Sequence, residues 1–151
     1  MIRIGRKTLL AIEAVLDIAL HAGSQPVQSA AITARLGIPR RYLEPMLQQL
    51  TRAEILSGVR GPRGGYRLAR ERRRISVGEI VRVASLVESG QEDEEELPGS
   101  ALGHQVVRPF WQELQDAFIA RLDAVTLDDL CTRARALGIS GSGEARLDYA
   151  I

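Results

Sequence analysis

Apolar residues recur at three- and four-residue intervals through the first third of the chain, which is the spacing of amphipathic helices. This repeat predicts a first helix over Arg6–His21. A shorter second helix is predicted to end at Leu36, just before Gly37, with Gln28 or Ser29 as its N-cap. Both helices would turn one apolar face toward a common core.

A third helix is predicted to begin between Pro39 and Arg41 and to end near Ala53. Its buried side consists of Leu43, Met46, Leu47 and Leu50. Pro45 removes one backbone donor near the helix start, so we expect a loosening or kink there without a break. Two short helices joined by a tight glycine turn form a helix-turn-helix, whose second helix offers its N-terminal residues to the DNA major groove.

A glycine-rich segment follows the third helix and predicts a β-hairpin. Ser57–Arg60 and Tyr66–Ala69 can pair as short strands around a tip formed by Gly61–Gly65. Glycines allow the positive φ angles of a tight tip, and Pro62 stiffens it. Because the tip carries little side-chain bulk, we interpret the hairpin as the DNA-approaching wing of a winged helix-turn-helix domain over residues 1–75.

The second half of the chain is predicted to contain further helices separated by an acidic loop. Residues 76–90 form a connecting helix, which extends to about Val87 and begins with the capping-box spacing of Ser76 and Glu79. Residues 91–103 include the acidic run Glu92–Glu96 and are expected to be a flexible loop. Residues 138–151 are expected to be a flexible tail.

A long helix is predicted from about His104 to Val125, with an apolar stripe too large for a surface helix on so small a protein. The candidate dimer-interface residues on this stripe are Val107, Phe110, Trp111, Leu114, Phe118, Leu122 and Val125. Residues 104–137 are therefore assigned to this dimerisation helix and to a short helix that ends at Ala136, capped by Thr126 or Asp128. The predicted fold is mostly α with a small β-hairpin wing: a winged helix-turn-helix domain plus a long dimerisation helix.

Charge is distributed unevenly along the chain, although the net charge is only +1. Residues 1–75 contain 14 Arg and Lys against 5 Asp and Glu, a balance of +9, whereas residues 76–151 contain 6 against 14, a balance of −8. The basic residues of the first half fall on the elements that a DNA-binding domain would use. This pattern favours double-stranded DNA as the partner.

The composition argues against several other classes of protein. The single cysteine, Cys131, excludes an intramolecular disulfide and an all-cysteine metal site, and His21 and His104 lack ligand spacing, so we expect no metal and no cofactor. Acidic Glu13 and Asp17 interrupt the first apolar stretch, as they would not in a signal peptide, and no apolar run approaches the roughly 20 residues of a membrane span. We expect a cytoplasmic protein with no membrane partner and, since no catalytic constellation is recognisable, no enzymatic activity.

Three segments resemble the Rrf2 family of bacterial transcription regulators. They are RRYLEPMLQQL in the third helix, VRGPRGGYRLA in the hairpin and ISVGEI at the start of the next helix. The resemblance covers roughly residues 1–137. It implies a homodimer whose long helices cross, binding to palindromic promoter DNA, and repression by occluding the promoter.

Cluster-binding members of this family carry three cysteines in the loop before the long helix, with a fourth ligand nearby. This chain has no cysteine in that loop, and Arg108 stands near the helix start where some members have a histidine. Thiolates supply most of the iron ligation in such clusters, so the departure predicts a regulator without an iron–sulfur cluster. His104 is either a lone ligand or an ordinary residue of the helix start.

The candidate DNA-binding residues of the helices divide by role. Phosphate contacts are assigned to Arg6, Lys7, Arg52 and Arg67. Arg40 or Arg41 would bond O6 and N7 of guanine, and Tyr42 would contact a thymine methyl or a phosphate. Glu44 would accept from cytosine N4, repel phosphate at non-matching sites, or serve only as a solvated or capping carboxylate.

In the hairpin, Arg60 and Arg63 are expected to reach the adjacent minor groove. The full set of candidate DNA contacts is Arg6, Lys7, Ser29, Arg40, Arg41, Tyr42, Glu44, Arg60, Gly61, Pro62, Arg63, Gly64, Gly65 and Tyr66. Arg70 and Arg72–Arg74 either extend this contact or form a solvated charge run.

Two alternatives stay open on the sequence alone. A protein–protein adaptor or sensor could use a winged-helix scaffold without sequence-specific DNA binding. Cys131 is either a redox switch or a buried small apolar residue of the last helix. The sequence identifies neither a small-molecule or protein effector nor an operator.

Overall fold

The structure is a computed structural model, and it describes residues 5–89, 99–139 and 141. Within these ranges the chain forms six α-helices and a two-stranded antiparallel hairpin. The elements are α1 (Arg6–His21), α2 (Ser29–Leu36), α3 (Arg40–Arg52), β1 (Leu56–Val59), β2 (Gly65–Leu68), α4 (Val77–Ser89), α5 (Arg108–Asp123) and α6 (Leu127–Ala136). A 3₁₀ turn over Arg72–Arg74 precedes α4, and a π-helical segment over Gly103–Val107 precedes α5. The predicted fold class, mostly α with a β-hairpin wing, is confirmed.

The first two helices form where the apolar repeat predicts them. The bounds of α1 are those expected from the sequence, and its inner face is fully buried. Gln28 occupies the N-cap position of α2, and Ser29 is the first residue of the helix. No side chain makes a capping hydrogen bond there. Gly37 ends α2 with a φ of 66°, a left-handed conformation that side chains with a Cβ disfavour.

The third helix is continuous from Arg40 to Arg52, with Pro45 inside it. Pro45 lacks the N–H that would otherwise bond to the carbonyl oxygen of Arg41, one turn earlier. The loss falls close to the helix start, and the burial of Leu43 and Leu47 holds the helix against the core. The helix is therefore unbroken at Pro45, as expected.

The hairpin lies one residue earlier along the chain than the predicted strands, which were Ser57–Arg60 and Tyr66–Ala69. In the observed register Leu56 faces Leu68 and Val59 faces Gly65. The shift places the apolar side chain of Leu56 in the core, whereas Arg60 becomes part of the tip. Gly65 extends the second strand because its backbone runs against Val27, a long-range contact that the local sequence does not reveal.

Two capping boxes lie side by side where α4 and α6 begin. Ser76 and Glu79 exchange hydrogen bonds at the start of α4, as predicted, and Thr126 does the same with Asp129 at the start of α6. The N–H of Val77 donates to the carbonyl of Val125, at 2.8 Å between nitrogen and oxygen. These bonds join the two helix starts into one unit. Of the two capping residues proposed for the last helix, Thr126 is the one observed.

The long helix differs from its predicted extent, His104 to Val125. Helical structure begins at residue 101, widens into the π-helical segment, and becomes regular only from Arg108. It ends at Asp123, so Val125 lies past its end. Residues 91–98 of the predicted acidic loop, the last residue of the predicted connecting helix, and residues 140 and 142–151 of the predicted tail lie outside the described residues.

One continuous core is built by α1 to α4, the hairpin and α6, whereas α5 contributes no buried residue to it. Leu127, Cys131 and Ala134 of α6 belong to the same core as the α1 residues Val15 and Ile18. The charge boundary near residue 75 is therefore not a boundary of the hydrophobic core. No helix in the described part of the chain is long and apolar enough to cross a membrane.

Candidate nucleic-acid interface

The starts of α2 and α3 and the tip of the hairpin surround one cleft, which we call the wing cleft. Its lining residues are Gln28, Ser29, Ala30, Arg40, Gly58, Val59, Arg60, Gly61, Pro62, Gly64, Gly65 and Tyr66. The lining contains two arginines and no acidic residue. The structure thus brings residues predicted from separate motifs to a single basic concave surface.

Backbone contacts hold the hairpin beside the start of α2. Tyr66 and Val27 exchange two backbone hydrogen bonds, at 2.7 and 2.9 Å. A Cβ on Gly65 would collide with the carbonyl of Val27, and one on Gly64 would collide with the carbonyl of Val59. Glycine is needed at both positions because backbone occupies the space where a side chain would go.

Gln28 is not among the DNA contacts predicted from the sequence. Its side-chain amide donates to the carbonyl of Pro62 at the hairpin tip, over 3.4 Å. Gly61, beside this proline, has a φ of 110°, which closes the tip. The start of α2 therefore positions the tip directly, a contact that spans 34 residues and leaves no local sequence signal.

The first turn of α3 contains its own charge pairing. Arg40 and Glu44 form an ion pair one helical turn apart, with 3.0 Å between Nε and Oε1, and both side chains are exposed. The guanidinium of Arg41 lies 4.8 Å from the centre of the Tyr42 ring. Both arginines are thus restrained but solvent-accessible, as base- or phosphate-contacting groups must be.

Arg41 and Tyr42 lie on a different side of α3 from Arg40. Together with Lys7 of α1 they line a second, mainly apolar cleft between α1, α3 and α4. Arg6, the first residue of α1, is exposed beside Lys7. The predicted set therefore divides into two groups on either side of the start of α3.

Other basic residues of the first half are held by intramolecular contacts. Arg67 donates to the carbonyl of Ser24 over 2.8 Å. Arg70 forms an ion pair with Glu79 at 3.1 Å and also donates to the carbonyl of Arg74. Arg70 therefore ties the segment after the hairpin to the start of α4.

Four further arginines do not line either cleft. Arg72 and Arg73 approach the carboxylate of Asp128 on α6, at 3.5 and 3.6 Å. Arg52 is the last residue of α3 and so stands at the opposite end of the helix from Arg40. Arg63 is exposed at the hairpin tip but does not line the wing cleft.

Two carboxylates have a lowered pKa. Partial burial acts to raise the pKa of Glu79, but the hydrogen bond from the backbone N–H of Ser76 and the contacts with Arg70 outweigh it. The bidentate hydrogen bonds from Arg82, at 2.7 and 2.6 Å, lower the pKa of Asp123 and raise that of the guanidinium. The lowered pKa values mean that both carboxylates stay charged in their ion pairs. Neither carboxylate lines the wing cleft.

The predicted dimer residues form an exposed apolar surface over the start of α5. Phe110, Trp111 and Leu114 are 57%, 42% and 43% exposed. Val107, also exposed, belongs to the π-helical segment. The remaining candidates, Phe118, Leu122 and Val125, are half-buried, and Val125 follows the helix.

In residues 5–89, 99–139 and 141, no group of three or more His, Cys, Asp and Glu side chains is placed to hold a metal ion. Cys131 is buried in the core on α6. His104 lies 3.1 Å from Arg108, between Nδ1 and a guanidinium nitrogen. The neighbour of this histidine is thus a cation rather than a second ligand.

Comparison with known proteins gives a consistent result. The family model described as "Rrf2: Iron-dependent Transcriptional regulator" matches residues 4–133. The HTH-type transcriptional regulator IscR of Escherichia coli (strain K12 / DH10B) is 33% identical over 141 residues, covering 92% of this chain and 86% of that protein.

Solved structures agree with this match. IscR of T. potens has a TM-score of 0.69 at 32% identity and covers 88% of both chains. CymR, the global cysteine regulator of B. subtilis, has a TM-score of 0.68 at 28% identity and covers 88% of this chain and 98% of its own.

Proposed function

Because the chain belongs to the Rrf2 family of DNA-binding transcriptional regulators, we propose that it acts as a homodimeric repressor that reads a palindromic promoter site without an iron–sulfur cluster. In this proposal the start of α3 enters the major groove and the hairpin tip reaches the adjacent minor groove. Repression follows from occlusion of the promoter. The protein acts in the cytoplasm and has no enzymatic activity.

The wing cleft is the observation that carries this proposal. It places Arg40 of α3 and Arg60 of the hairpin on one concave basic surface, together with the glycines of the hairpin tip and the start of α2. A duplex seated there would meet the first turn of α3 and the hairpin at the same time. The cleft lining contains two guanidinium groups and no carboxylate, which favours a polyanion over an acidic–basic protein interface, although Glu44 pairs with Arg40 from outside the lining.

Base reading in this proposal depends on Arg40, Arg41 and Tyr42. The ion pair with Glu44 holds Arg40 along the helix, so a matching guanine must replace Glu44 as its partner. At a non-matching site the carboxylate stays close to the duplex and repels phosphate. Lys7, Arg6 and Arg63 supply phosphate contacts around this centre.

The family description implies iron, but the residues present do not fit an iron–sulfur cluster. The whole chain has one cysteine, and it is buried in the core on α6. A cluster needs several thiolate ligands at one place, which one buried thiol cannot provide. Iron analysis of protein purified without oxygen is expected to find no stoichiometric iron.

Selection of bound duplexes from a random library is the experiment that tests the proposed function. It is expected to return a two-fold symmetric sequence, and affinity for it should fall steeply as salt rises. The double variant Arg40→Ala and Arg60→Ala removes both guanidinium groups of the wing cleft. It should lose at least about tenfold in affinity, since a single correct bidentate arginine contributes about 1–3 kcal/mol.

The matched control is Arg133→Ala, which removes an exposed arginine of α6 outside both clefts. This variant should bind the selected duplex as the parent does. Unaltered affinity of the double variant for every duplex would overturn the proposal and leave the adaptor as the better explanation. Recovery of asymmetric sequences would overturn its dimeric part.

A further inference from the structure

The apolar cleft between α1, α3 and α4, which we call the helical pocket, has a volume of about 110 Å³. Its lining residues are Lys7, Ala11, Arg41, Tyr42, Pro45, Met46, Gln49, Leu50, Val83 and Ala84. The pocket therefore lies behind the DNA-facing start of α3, between that helix and the core.

The helical pocket exists because small side chains meet at its floor. Ala11 of α1 and Ala84 of α4 are buried, and Leu50 of α3 closes the space from the other side. A larger residue at either alanine would fill this space. Cavities of similar size, about 150 Å³ with aliphatic and aromatic walls, accept a benzene molecule.

The polar groups of the pocket carry positive charge only. Lys7 supplies an ammonium group and Arg41 a guanidinium group, while Tyr42 and Gln49 are neutral. No acidic side chain lines the pocket. An occupant with a carboxylate would gain charge-assisted hydrogen bonds from these cations, and its hydrocarbon body would cover the apolar floor.

We propose that the helical pocket binds a small organic carboxylate whose apolar body is about the size of one ring or a short branched chain. A helix of a second subunit is a less suitable occupant. An apolar side chain from such a helix would reach the floor but would leave two cations facing it without an anion. A carboxylate with an apolar body, by contrast, pairs with the cations and covers the apolar floor.

Ligand binding has a direct consequence for α3. Arg41 and Tyr42 line the helical pocket and are also candidate DNA contacts, so a carboxylate bonded to Arg41 removes this guanidinium from the duplex. The ligand and DNA then compete for one side chain, and the carboxylate releases the protein from DNA. This consequence rests on the proposed function, whereas binding of the ligand does not.

Binding is tested on the full-length protein without DNA, with phenylacetate as the probe and phenylacetamide as its neutral match. Two-dimensional NMR spectra are expected to show saturable shifts confined to α1, α3 and α4. Phenylacetate should bind at least about tenfold more tightly than the amide, the factor that corresponds to one charge-assisted hydrogen bond. Equal affinity of the two compounds, or shifts at the wing cleft instead, would overturn the proposal.

Two variants locate the site. Ala84→Leu fills the pocket and should abolish binding, while Ala136→Leu makes the same change at an exposed position of α6 and should not. Lys7→Met removes one cation of the pocket without opening the core, so it tests the site even if Ala84→Leu disturbs folding. Its affinity for phenylacetate should fall by about tenfold. Unchanged affinity in Lys7→Met would exclude this site, as would partner residues covering the pocket in the dimer.

The coupling to DNA is measured separately, by fluorescence anisotropy with the selected duplex. Saturating phenylacetate should weaken duplex binding by the parent protein and leave duplex binding by Ala84→Leu unchanged. If the parent binds no duplex at all, the proposed function fails while the pocket stands. If the parent binds both without mutual effect, the competition for Arg41 is wrong.

Discussion

At the scale of single residues, the contacts of the described chain separate two kinds of arginine that look alike in the sequence. Arg40 and Arg60 line an open basic cleft, where Arg40 pairs with an exposed carboxylate of its own helix, whereas Arg70 ties the segment after the hairpin to Glu79 at the start of α4. The run Arg72–Arg74 gives no local signal of this difference, because its ion-pair partner, Asp128, lies far along the chain. The sequence predicts where basic residues concentrate. Contacts in the folded chain are needed to show which of these residues form ion pairs that hold the fold together.

The Glu79 carboxylate is predicted to make the stability of the protein sensitive to acid. Its pKa is lowered in the folded state, so its contribution is fully present above the ordinary pKa of glutamate and is lost as the pH falls through the folded value. Glu79→Gln keeps an oxygen that can accept from the Ser76 N–H but loses the charge that faces Arg70, so it should cost at most about 1 kcal/mol at neutral pH, the range of a partly exposed ion pair.

Urea unfolding of both proteins at several pH values measures this effect. The difference between parent and variant should shrink toward acid, where the parent carboxylate is protonated. Glu13→Gln, at an exposed position of α1, is the matched control and should not change the profile. A constant difference at all pH values would mean that the carboxylate charge is not what stabilises the start of α4.

At the scale of secondary-structure elements, helices were more predictable than the hairpin. The bounds of α1 follow from its apolar repeat alone, since burial of one face decides them. The hairpin register depends on Val27, which bonds to Tyr66 from another part of the chain. The π-helical segment before α5 likewise has no periodic signature, so the regular start at Arg108 could not be predicted.

One ion pair, between Asp17 of α1 and Arg35 of α2, joins the first two helices. We predict that removing Arg35 lowers the free energy of unfolding more than removing the charge of Asp17. Asp17 is 6% exposed and accepts two hydrogen bonds from Arg35, at 2.9 and 2.8 Å, whereas Arg35 is 35% exposed. Arg35→Met leaves a buried carboxylate without its main partner and should cost about 3 kcal/mol. Asp17→Asn leaves a guanidinium that can turn to water, and should cost about 1 kcal/mol.

Urea unfolding at neutral pH measures the free energy of unfolding of both variants and shows which of them is less stable. The double variant should be more stable than Arg35→Met alone, because the buried charge is gone. His21, whose Nε2 lies 3.5 Å from Asp17, remains beside the carboxylate in Arg35→Met. A larger loss in Asp17→Asn than in Arg35→Met would contradict the assignment of the buried charge.

At the scale of the whole molecule, the described chain has a complete core that excludes α5. The sequence predicted a helix with an apolar stripe in this part of the chain, because an amphipathic repeat is local, but it did not predict the bounds of that helix. It could not show that α6 returns to pack on α1, since that contact joins the two ends of the chain. The folded protein therefore presents an apolar helix that its own core does not use.

That exposed surface leads to a prediction about assembly. Trp111→Asp places a charge in the middle of the apolar surface of α5 and should convert the proposed dimer into monomers, since an unpaired charge in an interface costs several kcal/mol. The monomer offers one wing cleft rather than two, so affinity for a two-fold symmetric duplex should fall by at least about tenfold. Phe118→Asp should also produce monomers. Because Phe118 is half-buried, this variant should lower the stability of the subunit as well.

Sedimentation velocity measures the assembly, and circular dichroism checks that each variant is folded. Ala120→Asp adds the same charge to an exposed position two residues after Phe118, on the other side of the helix, and should remain dimeric. If Trp111→Asp stays dimeric while folded, α5 does not join the subunits. The apolar surface would then need another partner, and the spacing of two half-sites could no longer be set by this helix.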